Sequence, residues 1–288
     1  MVAAAEKLVT YTPLGIRLWD PVVDRQIKDA LLVTAKPVLM PQKIVHAAPT
    51  LGGVYAFSHL PGMRGVEYGY EQATDSPPSR HGFVIEINDS LNRYVSVAFH
   101  VELPLSYPGP FLSNSVGSPG NSLPKGVYLY SSISRNMSSN MAVIRGELLE
   151  YESRKPAAHA LLKVQTESGE SWYGIADEHG RYAIVFPYPD LQEGFGGSPL
   201  SLSSKPLHEQ RWELELSIFY SPSSRQNLPG TALPNYLTIL NQGAAMIWPR
   251  LASDEGVPIS QLTLPLSYHR PAVAKTGELS KLLISPLP

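Results

Sequence analysis

A chain of 288 residues with a formal charge of −2 and no cysteine cannot build a disulfide framework, a thiol nucleophile or a thiolate metal site. Its balanced charge offers no electrostatic footprint for nucleic acid or an anionic membrane. The 27 prolines, roughly twice the usual share of about 5%, cut helices short and favour many brief strands joined by turns, so an all-β protein is expected.

The opening residues Met1–Pro13 lack the apolar core of a signal peptide, and no run approaches the roughly 18 apolar residues of a membrane span. Gly15–Ala35 reads as a strand, an Asp-Pro turn and a second strand. A helix over Val22–Leu32 competes, because Val23, Ile27 and Leu31 fall at helical spacing and Pro21 suits a first turn. Phe83–Ile87 and Tyr94–Leu103 form a hairpin around Asn88–Arg93. Phe83, Ile85 and Ile87 share one face with Val95, Val97, Phe99, Val101 and Leu103, while Ser96, His100 and Glu102 lie opposite, facing water or a partner. Tyr107–Gly126 is rich in Pro, Gly and Ser and reads as a linker or long loop. Val127–Ser132 is a short strand that either flanking module could own, and Ile133–Met141 is a polar bridge.

Arg145–Pro189 carries the clearest pattern: strand, polar turn, strand, hairpin, strand, a turn at Asp177-Glu178-His179-Gly180, and a fourth strand. Gly180 supplies the positive φ such a turn requires. Tyr182, Ile184 and Phe186 then face one way, Arg181, Ala183 and Val185 the other, until Pro187 and Pro189 close the strand. The earlier segment 13–61 resembles this unit. Ala30-Leu31-Leu32 parallels Ala160-Leu161-Leu162, and Gly53-Val54-Tyr55-Ala56-Phe57 parallels Gly180-Arg181-Tyr182-Ala183-Ile184, which points to a duplicated sandwich. Further on, Asp190–Pro206 reads as an exposed excursion. Arg211–Ser221 is a strand burying Trp212, Leu214, Leu216, Ile218 and Tyr220. Pro234–Gln242 reads as a short helix, and Ile259–Tyr268 as a last strand with Leu262, Leu264 and Leu266 inward. The apolar C-terminal end must dock on its own core or on a neighbour. The expected division is an N-terminal module over 1–126 and a C-terminal module with an extension over 127–288.

Ala160–Val164 followed by Ala176–Ile184 (ADEHGRYAI) resembles the carboxypeptidase regulatory-like, or transthyretin-like, β-sandwich, with Ala176 where that family usually has Thr. The resemblance implies two antiparallel sandwich modules, transthyretin-like or Ig-like, with long Pro/Gly/Ser-rich loops. It implies no function. A second resemblance spans most of the chain. Leu14–Arg25 (LGIRLWDPVVDR), Gly53–Gly62, the Gly174–Pro189 segment and the ending Ser267–Pro286 are similar to bacterial proteins encoded with phage-tail-like contractile injection systems. That likeness implies a non-enzymatic accessory subunit, baseplate-associated and cytoplasmic. It would be present in several copies and touch baseplate, sheath or tube proteins, with no nucleic acid and no membrane span.

The residues themselves show no catalytic, cofactor-binding or metal-binding constellation, and no cofactor is expected. Gly169–Gly174 (GESWYG) is one residue too long for a nucleophile elbow around Ser171. The histidines (His46, His59, His81, His100, His159, His179, His208, His269) show no metal-binding spacing. Asp177 and Glu178 belong to no calcium loop. Asn88 and Asn136 open sequons in form only. Trp172, Tyr173, Tyr182, Phe186 and Tyr188 suit either core packing or a sugar-stacking platform, so a carbohydrate-binding or adhesive module stands as the alternative function.

Overall fold

The computed structural model describes residues 11–69, 79–104, 125–190 and 206–287. Short, proline-punctuated apolar runs become strands because each can bury one face only by stacking on another sheet. In the N-terminal half these are β1 (Leu14–Ile16), β2 (Leu18–Asp20), β3 (Arg25–Gln26), β4 (Leu31–Pro37), β5 (Val45–His46), β6 (Ala48–Pro49) and β7 (Tyr55–Phe57). A one-turn helix α1 (Arg64–Glu67), β8 (His81–Asp89), β9 (Val97–Leu103) and β10 (Val127–Tyr128) complete it. One sheet runs β5-β4-β8-β9, and facing it lie β1-β7-β6 and β10-β2-β3. Val33, Phe83, Ile85, Ile87, Phe99 and Val101 of the first sheet meet Leu14, Ile16, Leu18, Tyr55 and Phe57 of the others in one buried cluster.

The C-terminal half contains β11 (Met141–Glu150), β12 (Leu161–Thr166), β13 (Ser171–Ile175), β14 (Arg181–Pro187), β15 (Arg211–Phe219) and a helix α2 (Tyr236–Leu240). It ends with β16 (Ala245–Trp248), β17 (Gln261–Ser267), β18 (Ala272–Val273) and β19 (Leu282–Pro286). Its sheets run β13-β12-β15-β17 and β14-β11-β19-β16, with β18 also on β11. Trp212, Leu214, Leu216 and Ile218 alternate inward as expected and meet Ile144, Tyr182, Ile184 and Phe186.

The two halves share one plan. Each has a sheet ordered β5-β4-β8-β9 or β13-β12-β15-β17 and a second built on β7-β1 or β14-β11. Ile16 pairs with Tyr55 as Gly146 pairs with Tyr182. The turns share their closing bonds. Gly53 N–H donates to the Thr50 carbonyl at 2.8 Å, and Gly180 N–H to the Asp177 carbonyl at 3.0 Å. Thr50 Oγ1 accepts from Val54 N at 3.1 Å, as Asp177 Oδ1 accepts from Arg181 N at 2.9 Å. The parallel drawn from Ala30-Leu31-Leu32 is one residue out of step. Val33 and Ala35 point into their core as Leu162 and Val164 point into theirs, and a slip of one would turn every side chain to the wrong face.

Several expectations need correction. The sheets are not purely antiparallel, since β2 pairs with β10, and β11 with β18 and β19, in parallel. Val127–Tyr128 belongs with the N-terminal sheets, and Leu129 and Tyr130 join their core, so 127 does not open the C-terminal module. Residues 22–32 form a turn and strand ends, not a helix. Ile259–Tyr268 is not the last strand. The chain's end returns as β19 between β11 and β16, with Leu282, Leu283 and Ile284 fully buried. The apolar terminus therefore docks on its own core. Most of the expected linker 107–126 and of the excursion 190–206 lies outside the described residues.

Candidate functional site

The tight β8–β9 turn has as its counterpart, between β15 and β17, a long insertion that holds α2 and β16. This insertion reaches back onto the N-terminal sheets. Asn235 caps α2 by accepting from Leu237 N through its side chain. Tyr236, Ile239 and Leu240 then enter the N-terminal core, and Tyr236 Oη donates to the Tyr128 carbonyl at 2.7 Å. From the other side Leu161, Ile175, Tyr173 and Phe219 pack against the same cluster. Leu228 and Leu233 cover Val84 and Ala98 on the outer face of β8 and β9. The face expected to meet water or a partner is thus partly covered by the chain itself.

Two charged groups pin this junction. Asp20, on the Asp-Pro turn, is almost fully buried. It accepts from Val22 N at 2.9 Å, Tyr94 Oη at 2.7 Å and Arg135 Nη2 at 2.5 Å. Burial, then the hydrogen bond to Asp20, pushes the Tyr94 hydroxyl well above its ordinary pKa. Arg135 comes from the polar bridge 133–141, so the bridge is bolted to the N-terminal module rather than loose. Lys36 Nζ meets Glu86 Oε2 at 2.6 Å and donates to the Gly230 carbonyl at 2.9 Å, which ties the insertion down. Burial opposes ionisation of Glu86, but the bonds from Lys36 and Asn88 prevail and hold its carboxyl below the usual range.

Beside these contacts opens a cleft of about 530 Å3 whose lining includes Asn88, Ser96, Ser132, His159, Arg181 and Thr231. Three carboxylates line it: Glu86 is committed to Lys36 and Asp177 to Arg181 at 2.8 Å, while Glu178 stands exposed beside His179. Burial, then the neighbouring Arg225 charge, pushes the His159 imidazole down to about 4, so it stands neutral at physiological pH. The cleft therefore presents neutral hydrogen-bonding side chains together with the exposed Glu178 carboxylate.

The other candidate residues scatter. Ser171 lies on β13, not at a strand-to-helix elbow. Among the described residues no group of three or more His, Asp or Glu side chains converges to hold a metal, and no helix is long and apolar enough to cross a membrane. The Asp177 carboxylate accepts from His179 N, Arg181 N and Arg181 Nε within its own turn. The five aromatics share no exposed platform. Tyr182 and Phe186 are buried, Trp172 stacks on Phe186, and Tyr173 faces the other module's core. Tyr188 leans on Trp212 and Tyr268. Sequence reasoning missed the junction because Asp20, Arg135, Lys36 and Glu86 lie far apart in the chain. The only local signal was the Asp-Pro pair at Asp20-Pro21.

The chain is an all-β protein of several stacked sheets. No family model matches it, and no curated protein does. Solved structures aligned with it include the shaft pilin SpaA from Lactobacillus rhamnosus GG, 9% identical, covering 95% of this chain and 97% of that one with a TM-score of 0.24. Two mutant forms of the same pilin align at 11% and 10% identity, covering 95% and 97% of this chain and 98% of theirs, each again with a TM-score of 0.24. A score that low means the strands do not superpose, and it carries no argument about role.

Proposed function

We propose that this chain is a non-enzymatic accessory subunit of a phage-tail-like contractile particle. In this reading it assembles in the bacterial cytoplasm at the baseplate, in several copies, and works through contacts with baseplate, sheath or tube proteins. The observation that carries the reading is where the four segments of the whole-length resemblance fall. Leu14–Arg25 supplies β1, β2 and the buried Asp20. Gly53 and Gly180 form the two sister turns. In the ending, Thr276 Oγ1 donates to the Trp248 carbonyl at 2.6 Å and accepts from Leu283 N at 2.8 Å, fixing β19 in the sheet. The shared segments are frame residues, as they are in a group whose members have a shape in common. A double sandwich locked at its junction also suits a part that must transmit load without bending. Purification of contractile particles followed by mass spectrometry of their proteins tests the reading: the chain co-purifies if it is correct, and its absence from intact particles refutes it.

A further inference from the structure

The outer face of β11 carries a charge that the chain leaves unanswered. Among the described residues five buried side-chain nitrogens or oxygens have no hydrogen-bond partner, and Arg145 Nε is the one cation; the others belong to Gln26, Tyr55, Trp172 and Tyr182. Every other half-buried Lys or Arg among the described residues is satisfied. Lys36, Arg93, Arg135 and Lys281 meet carboxylates, Lys163 donates to Gln165 Oε1 at 3.3 Å, and Arg225 donates to the Ala158 carbonyl at 2.6 Å. Ile144 and Leu148 enter the core, so Arg145 points the opposite way. It stands in a row across three strands, between Ala183 of β14 and Val273 of β18. One row along the same face, Val143 and Val185 are covered by Val22 of the N-terminal module. The row at Arg145 therefore begins where the seam between the modules ends, and Val273 is 51% exposed. The next acid on this face, Glu147, is already held by Lys281.

We propose that Arg145 and Val273 form an anchor point for another subunit of the particle, which brings an Asp or Glu carboxylate to the guanidinium and an apolar side chain to Val273. The inference rests on the functional reading above and adds the surface and the chemistry of the contact. Two observations select this occupant. The first is charge: the two Nη atoms of Arg145 are neither buried nor paired among the described residues, and a carboxylate accepts from both at once. A guanidinium whose Nε has already lost its water pairs more strongly than one in bulk solvent, and segments bearing Lys or Arg are repelled. The second is position: the row continues a seam where the same sheet face already receives a turn of the other module. Arg beside an apolar side chain is the composition of an interface anchor.

The test uses purified particles and the isolated full chain. Arg145→Met keeps the apolar stem and removes a buried donor that has no acceptor, so it should hold or raise the melting temperature. The same variant should lower the copies per particle by about tenfold or more. Arg250→Met, an exposed change elsewhere, should alter neither. In Arg145→Lys particles, carbodiimide coupling should join the introduced amine to an Asp or Glu of a different particle protein. A folded Arg145→Met chain incorporated at the wild-type level overturns the inference and leaves the functional reading standing. A lowered melting temperature in that variant also overturns it, because the guanidinium would then be a structural group. Links only to a second copy of this chain do the same. Inorganic phosphate that raises the melting temperature of the wild type but not of Arg145→Met would mark a small-anion site instead and overturn it too. Absence of the wild-type chain from particles refutes both.

Discussion

The sister turns give a quantitative test of how the frame is built. Gly53 and Gly180 sit at φ of +76° and +77°, where a residue with a Cβ costs about 1–2 kcal/mol. A Cβ on Gly180 would stand 2.4 Å from the Leu148 carbonyl oxygen and 3.3 Å from Ala157 N, both backbone. That carbonyl accepts from Ala157 N at 3.0 Å, and Leu148 N donates to the Gly180 carbonyl at 2.8 Å. Relieving the clash therefore loosens two backbone bonds, at about 1 kcal/mol each. On Gly53 the nearest atoms are Lys28 Cγ at 2.7 Å and Gln26 Nε2 at 3.0 Å, side chains that can swing away. Gly180→Ala should thus destabilise by about 3–4 kcal/mol and Gly53→Ala by about 1–2 kcal/mol. Urea unfolding followed by circular dichroism and tryptophan fluorescence measures both. Equal losses, or a larger loss at Gly53, would refute the argument that backbone crowding separates the twins.

Arg135→Ala removes the cation from a buried carboxylate. Such a loss costs about 3–5 kcal/mol, and the bonds left to Asp20 from Val22 N and Tyr94 Oη place it near the lower end; thermal unfolding reads the shift. Tyr236→Phe deletes a buried donor to the Tyr128 carbonyl and should cost about 1–2 kcal/mol in the same assay. His159 is depressed to about 4 in the folded chain from an ordinary 6.5. Because the unfolded chain binds the proton more readily, the stability this group contributes is present above pH 6.5 and is lost as pH falls through the folded value near 4. Nuclear magnetic resonance should show that imidazole titrating near 4. His159→Asn, which tolerates the positive φ of 56° there, should remove on the order of 3 kcal/mol of the acid-side loss. An unchanged pH profile in that variant would refute the assignment.

Local alternation made Arg211–Ser221 and the hairpin 83–103 readable, because a two-residue period shows in the chain itself. The Asp177–Gly180 turn was equally plain, since its Asp and Gly serve the turn's own bonds. The halves were recognisable as copies from a Gly and a Tyr at matched places, yet their strand alignment needed the buried faces to correct it. The candidate aromatic platform dissolved for a related reason: sequence places Trp172, Tyr173 and Tyr188 near one another but cannot say which sheet face or which module each will meet.

Composition and periodicity by themselves determined that this protein is built of strands, where most of them run, and which turns need glycine. These depend on interactions within a few residues. Only the tertiary structure decided that β19 closes a sheet in parallel with β11, that Val127–Tyr128 completes the N-terminal module, and that an insertion clasps the two halves through Tyr236, Leu228 and Lys36. Each of those outcomes joins residues far apart in the chain, and burial of apolar surface rewards any suitable partner without naming it in advance.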